Sequence, residues 1–404
     1  MYDIGTNSLD SIGKIGNMDK FDFLDEKLAE LSGKHLLRKL NCLEATSSGT
    51  VKFEEPDSEK ILFCSNDYLN ISRDSRVTEA VCHAVGKYGY GGCSSRLICG
   101  TQKPHRDVED AFAALLGTES ALLFNSGWTA NEAVLRAIPE NGDLILIDRH
   151  DHASIIDAVK SSGAKFRTYR REDISRLEKY LSDEKCRRKF IVTESVFSMD
   201  GDCADLKKLV DLKNKYGAIL IVDQAHAIGC FGANGAGLAD ELGLLGQIDI
   251  LVAPLGKAFA ASGAIVASAR TVIDYLVNKA RPFIYTTAPP PVNCAAILAA
   301  LEVVQTEPQR RTKLAENTRY LREKLIAAGF DTGKSSTQIV PVIFGDAEET
   351  VRVSGELFEA GFYVSAIRPP TVPNNSSRLR ISLQCNHTTE QIDGLVDATI
   401  AACL

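Results

Sequence analysis

Three short stretches carry residue types that could do chemistry together. The run Ala218-Ile-Leu-Ile-Val-Asp223 ends an apolar segment on a carboxylate, with Gln224, Ala225 and His226 directly behind it. Further on, Pro254-Leu-Gly-Lys257-Ala-Phe follows the apolar run Ile248–Ala253 and delivers a lysine. Upstream, Leu122-Leu-Phe-Asn125-Ser-Gly127-Trp128 reads as a strand turning into a helix, where free backbone N–H groups and the helix dipole suit a phosphate. Together they meet the needs of pyridoxal 5'-phosphate (PLP). The lysine forms the imine, the acid keeps the pyridine nitrogen protonated, and the turn anchors the phosphate. Singly, each has a blander explanation: a strand-end Asp as a helix cap, a lysine after glycine as a solvated side chain, Asn-Ser-Gly as a turn. The joint reading rests on their order and on a shared location.

That location requires particular elements. Strands are expected at Ala121–Phe124, Leu144–Ile147, Phe190–Thr193, Ala218–Val222, Ile248–Ala253 and Ala264–Ala267, each short, apolar and closed by turn formers. Helical stretches such as Asp107–Leu116, Ser154–Ser161 and Asp205–Lys215 alternate with them. The alternation predicts an α/β fold with a doubly wound, mainly parallel sheet, whose ligands sit beyond the carboxyl ends of the strands. From about residue 290 the pattern changes to a long helical segment, 292–328, then strands at Ile339–Phe344, Tyr363–Ile367 and Arg378–Leu383 and a helix Thr389–Ala402. This reads as a smaller α+β domain. The expected organisation is an N-terminal arm at 1–60 with a hairpin-like turn in Ser47–Lys60, a large domain at 61–290 and a small C-terminal domain at 291–404.

Composition narrows the function classes. With 45% hydrophobic and 25% charged residues, the chain has the profile of a soluble globular protein. The formal net charge of -7 argues against nucleic acid as the main partner. Eleven cysteines and seven histidines are scattered without metal-ligand spacing, so no metal site is expected and the thiols read as reduced. No apolar run approaches a membrane span, and the first twenty residues show no secretory pattern. The expected location is the cytoplasm.

The strings Ser65-Asn-Asp-Tyr-Leu69, Ser95-Arg-Leu-Ile98, His152-Ala-Ser154, Val196-Phe-Ser-Met-Asp-Gly-Asp202, Asp223-Gln-Ala-His226, Leu255-Gly-Lys257-Ala-Phe259 and Tyr285-Thr-Thr287 make the chain resemble the α-oxoamine synthases. These are fold-type I PLP-dependent transferases that condense a small amino acid with an acyl thioester carried on CoA or acyl carrier protein. Within the family, Ala366-Ile-Arg-Pro-Pro-Thr-Val-Pro373 followed by Ser377-Arg-Leu-Arg380 is similar to the biotin-pathway branch that uses L-alanine and a pimeloyl thioester. The resemblance implies that Lys257 is the imine lysine, Asp223 the pyridinium partner and His226 a donor to the ring's phenolic oxygen. It implies that His152 stacks on the ring, that Gly127 and Trp128 hold the phosphate, and that Ser198 lies beside the cofactor. Arg380 would grip the amino-acid carboxylate, while Arg38 and Thr371 would contact the acyl substrate. Thr287 of a neighbouring subunit would reach the phosphate, which implies a homodimer. Pro254 stands where relatives use a threonine, and Ala227-Ile228 and Ala260-Ala261 replace glycines and hydroxyl residues. Another synthase of the family, a PLP-binding subunit without turnover, and an aminotransferase remain as alternatives.

Overall fold

The computed structural model describes residues 20–33, 36–38, 40–47, 49–54, 58–183 and 185–404. Of the expected Ser47–Lys60 turn, residues 48 and 55–57 lie outside that set, as do the first nineteen residues. Internal contacts divide the chain into one unit of residues 1–44 and 53–58 and another of residues 45–52 and 59–404. The smaller unit contains the helix Asp22–Gly33, whose first turn carries Asp22 and Asp25, the charge sign that a helix N-terminus favours.

The larger unit is built on seven strands. In chain order these are β1 (Ser120–Phe124), β2 (Leu144–Asp148), β3 (Lys165–Tyr169), β4 (Lys189–Glu194), β5 (Ile219–Asp223), β6 (Ile250–Pro254) and β7 (Ala264–Ser268). In space they run β1-β7-β6-β5-β4-β2-β3. Only β7 is antiparallel to its neighbours, β1 and β6; the other pairings are parallel. Apolar runs become strands here because the sheet is covered on both faces. Leu144 and Leu146 enter one buried cluster, and Ile145 and Ile147 the cluster on the opposite side. Six of these strands were expected from the sequence. The seventh, β3, was not, because it is an edge strand with one buried residue in five and therefore has no apolar run.

The expected helix over 292–328 is two helices, Pro291–Thr306 and Gln309–Ala327. Pro308 lies between them, and its ring cannot continue the first helix. The expected strand Tyr363–Ile367 is likewise two pieces. Phe362–Tyr363 pairs in parallel with Ile61–Leu62, while β9 (Ser365–Ile367) joins β8 (Ile339–Gly345) and β10 (Ser377–Ser382) in an antiparallel sheet of order β8-β10-β9. All six residues of β10 are buried, including Arg378 and Arg380. Buried arginines need partners, so this strand points to a site.

Candidate active site

Because β7 alone is reversed, β1, β2, β4, β5 and β6 all finish at one edge of the sheet. Asn125–Trp128 follow β1, His152 follows β2, Glu194 ends β4, Asp223 ends β5 and Lys257 follows β6. The fold thus gathers at one edge the groups that the sequence separates by more than a hundred residues.

Asp223 is buried, and its two carboxylate oxygens accept from the Ala225 N–H (2.8 Å) and from Asn131 Nδ2 (2.8 Å). The Asn131 amide also donates to Ser154 Oγ at 3.0 Å, and Ser154 Oγ lies 2.8 Å from His152 Nδ1. Asp223 and His152 are therefore held in one side-chain chain that starts on the helix Gly127–Ala137. His152 caps the helix Ala153–Lys160, its Nδ1 accepting from the Ser154 N–H at 3.2 Å, which leaves Nε2 as the nitrogen available to a ligand. Its ring meets Trp128 edge-on at 6.1 Å. Burial and, more weakly, the Lys257 charge lower the His152 pKa, against the pull of Asp223, so the imidazole is neutral at physiological pH.

Lys257 is itself largely shielded. Burial lowers its ammonium pKa, opposed by the carboxylates of Asp223 and Glu194. Glu194 is fully buried beside Asp223 in the β4–β5 register, and desolvation together with the Asp223 charge pushes its pKa up to about 8. Its Oε1 has no hydrogen-bond partner. Of the two carboxylates, Asp223 acts more strongly on Lys257 than Glu194 does, and an acid beside the lysine is what a cationic pyridine ring requires.

The helix Gly127–Ala137 opens on a capping box in which Ser126 Oγ accepts from the Thr129 N–H. Ala130 N–H returns to the Ser126 carbonyl, so the N–H groups of Gly127 and Trp128 remain free to meet an anion. A Cβ on Gly127 would lie 2.8 Å from Pro254 Cγ. The proline that replaces the family's threonine therefore packs directly against the cradle glycine. Ala260, in the turn after Lys257, has φ +49°, a conformation that favours glycine. Ala227 and Ile228 are fully buried in the core. A phosphate cradle, an acid, a suppressed lysine and a capping imidazole at one sheet edge form a donor set that fits PLP.

Arg380 reaches the same edge from β10. Its Nε donates to the Ser198 carbonyl (2.6 Å), Nη1 to Ser382 Oγ (2.7 Å) and Nη2 to Asn66 Oδ1 (3.2 Å). Ser198 is half-buried in a loop clamped from both sides, since Asp200 pairs with Arg378 and, at 2.8 Å, with Arg171, which also holds Asp202 at 2.6 Å. Asn66 Oδ1 also accepts from the fully buried Tyr68 hydroxyl at 3.0 Å, and that hydroxyl lies 2.7 Å from His226 Nδ1. His226 is buried and, with its pKa driven well down by burial, neutral. Arg380 and His226 are thus joined through two residues of the Ser65–Leu69 string.

Lys257 and Asn66 line a cavity of about 480 Å³ together with Ser65, Arg73 and Ser262. Thr371 is exposed, its N–H bonded to the Arg368 carbonyl, and no contact joins it to the groups above. Thr287 is exposed, and its carbonyl accepts from Asn125 Nδ2 of the same chain at 2.9 Å. Arg38 is exposed in the smaller unit. Asn131, Glu194, Asn66 and Tyr68 were not singled out as site residues. The last two lie in a quoted string, whereas Asn131 sits mid-helix and 92 residues from the carboxylate it holds, with no local signal.

Residues 58–398 match the family model described as aminotransferase class I and II. The chain is 42% identical over 380 residues to an 8-amino-7-oxononanoate synthase of Anaeromyxobacter dehalogenans, covering 94% of this chain and 95% of that one. A second protein of that name, from Geobacter metallireducens, is 42% identical over 370 residues, covering 91% and 94%. Among solved structures, a serine palmitoyltransferase variant of S. paucimobilis with a bound PLP–myriocin aldimine superposes with a TM-score of 0.88 at 31% identity, covering 95% of this chain and 97% of that one. An 8-amino-7-oxononanoate synthase from Francisella tularensis gives a TM-score of 0.74 at 32% identity, covering 85% and 97%.

Proposed function

The chain belongs to the aminotransferase class I and II family and, within it, to the α-oxoamine synthases, and on that premise we propose that it joins L-alanine to a pimeloyl thioester to give 8-amino-7-oxononanoate, the biotin-pathway reaction. It is a PLP-dependent acyltransferase. The observation that carries the reading is Lys257, shielded and suppressed beside Asp223 at the edge where the phosphate cradle opens. PLP, when bound, supplies an electron-accepting ring. Suppression of the Lys257 pKa makes a neutral amine more accessible, the form that would hold the cofactor and take a proton from the α-carbon of the amino acid. Asp223 would hold the pyridine nitrogen protonated, and Asn131 holds Asp223 in place. The planar guanidinium of Arg380 would grip the amino-acid carboxylate while the α-carbon attacks the thioester carbonyl and the carrier thiol leaves. It holds that carboxylate until it departs as carbon dioxide, which fixes the bond that breaks. His152 would cover the ring and meet the substrate with Nε2, and His226 would hold the ring's phenolic oxygen.

Alanine and pimeloyl thioester are favoured over serine and palmitoyl thioester by the 42% identity to two 8-amino-7-oxononanoate synthases over more than nine-tenths of the chain and by the Ala366–Pro373 string. Thiol release from all four donor–acceptor pairs tests this. The alanine–pimeloyl pair is expected to be fastest; a faster serine–palmitoyl pair overturns the substrate assignment and leaves the family untouched.

We also propose that the enzyme is a cytoplasmic homodimer in which Thr287 of the second subunit completes the phosphate site. Support comes from exposed apolar side chains, Tyr90, Leu97, Ile98 and Tyr285, in the segments joined by the Ser95–Thr287 bridge. Among the described residues no helix is long and apolar enough to cross a membrane. A fully active monomer in sedimentation would exclude the dimer.

A further inference from the structure

A second cavity of about 480 Å³ shares no lining residue with the one that contains Lys257. It is bounded by the start and middle of the helix Gln309–Ala327, the turn after Cys230 and the segment Ser336–Gln338. Three arginines line it, Arg311, Arg319 and Arg322, against a single carboxylate, Glu241, which accepts from the Gly232 N–H at 3.2 Å. Arg311 is buried and spends its guanidinium on two carbonyls, those of Val304 and Ala233. The Val304 carbonyl belongs to the last turn of a helix, so this contact is structural and partly offsets the charge. Arg322 is different. Its Nη1 is sealed from solvent with no partner, burial lowers its pKa, and only its chain neighbour Glu323 acts against that. Arg319 has no ion-pair partner among the described residues.

A shielded guanidinium nitrogen left without a partner carries an energetic penalty that Arg322 can relieve by turning toward an anion bound in the cavity. The hydroxyls of Thr318 and Thr337 in the lining donate to the Leu314 and Gly201 carbonyls, so the donors that suit phosphate oxygens here are the guanidinium forks of Arg319 and Arg322. The cavity volume exceeds that of a bare phosphate, and Phe231 and Leu314 add an apolar wall. We propose that this cavity binds a phosphate-bearing small molecule. Its walls lead to the active site by two hydrogen-bonded routes. Gln338 Nε2 donates to the His226 carbonyl at 2.7 Å, and Thr337 Oγ1 donates to the Gly201 carbonyl at 2.9 Å, three residues beyond Ser198. An occupant that draws Arg319 and Arg322 inward therefore bears on the loops that hold His226 and Arg380.

The test uses the PLP-loaded enzyme, so that the phosphate cradle at Gly127 is already filled, with inorganic pyrophosphate as probe at constant ionic strength. Calorimetry is expected to show saturable binding at one site per chain. Arg319→Ala combined with Arg322→Ala should weaken that binding at least tenfold while leaving the visible absorbance band unchanged. If the double variant does not fold, Arg319→Ala alone, at an exposed position, should still weaken binding severalfold. Two sources of the phosphate are separated by CoA itself. If CoA competes with pyrophosphate and the variant raises KM for the acyl-CoA, the occupant is the nucleotide end of the carrier. If CoA does not compete and pyrophosphate shifts KM for the amino acid in wild type only, the occupant is a separate organophosphate. Absence of saturable binding to the loaded wild-type enzyme, or equal binding by the variants, overturns the proposal.

Discussion

Asp223 and Thr371 were both assigned to the site, yet they sit in opposite surroundings. Asp223 is buried at a strand end and bonded by Asn131 and by the Ala225 N–H, within a chain of side chains that runs on to His152. Thr371 is exposed in a turn whose backbone bonds to Arg368, three residues back. The first region is fixed by the fold: its geometry cannot change without moving the sheet. The second can vary at little cost to stability. The contrast teaches where each kind of information resides. The proposed cofactor groups sit at strand ends that pack as core, whereas the proposed acyl contact Thr371 sits in an exposed turn.

The largest effect should come from breaking the buried side. Asp223→Asn keeps the shape but turns one of the two accepting oxygens into an amide donor facing the Ala225 N–H or Asn131 Nδ2, and it removes the negative charge proposed to hold a proton on the ring, so turnover should fall about 10²–10³-fold. A kcat within a factor of about three of wild type would show that the ring is protonated by another group. Between the two regions stands Arg380, buried like Asp223 and proposed to meet the substrate. Arg380→Lys should raise KM for the amino acid by the equivalent of roughly 1.5–3 kcal/mol, because an ammonium replaces a two-point fork. If kcat falls instead and KM does not move, Arg380 positions the Ser198 loop rather than the carboxylate.

Tyr68→Phe asks how far the rigid side extends. It removes the hydroxyl that lies between Asn66 and His226 and leaves buried polar groups unpaired, at a cost of about 1–3 kcal/mol, readable in a denaturant titration. Turnover should drop less than in Asp223→Asn, because the ring charge is untouched. Thr371→Ala should have the smallest effect, within about 0.5 kcal/mol on stability. Its signature should be a changed ratio of rates between short and long acyl thioesters. An unchanged ratio would remove Thr371 from the acyl site.

Much of this was legible in the sequence, for physical reasons that also explain the gaps. Strands buried on both faces advertise themselves as apolar runs, so β1, β2 and β4–β7 were visible, and Asp223 and Lys257 could be placed at their ends. The edge strand β3 was silent because Lys165, Arg167 and Thr168 face solvent. Glu194 was hidden because an acid that ends a strand looks like any turn former until its neighbour across the sheet is known. Asn131 was hidden because helix position says nothing about a partner in another layer. The break at Pro308 is a proline signal that the helical periodicity on either side masks.

The central claim is that Lys257, and no other lysine, bonds the cofactor. Borohydride reduction of the purified enzyme, followed by proteolysis and mass spectrometry, tests it directly. The account predicts a pyridoxyl-phosphate mass on the peptide that contains Lys257 and on no other, with loss of the visible absorbance band. A label on a different lysine, or a bleached band with Lys257 unmodified, would contradict it.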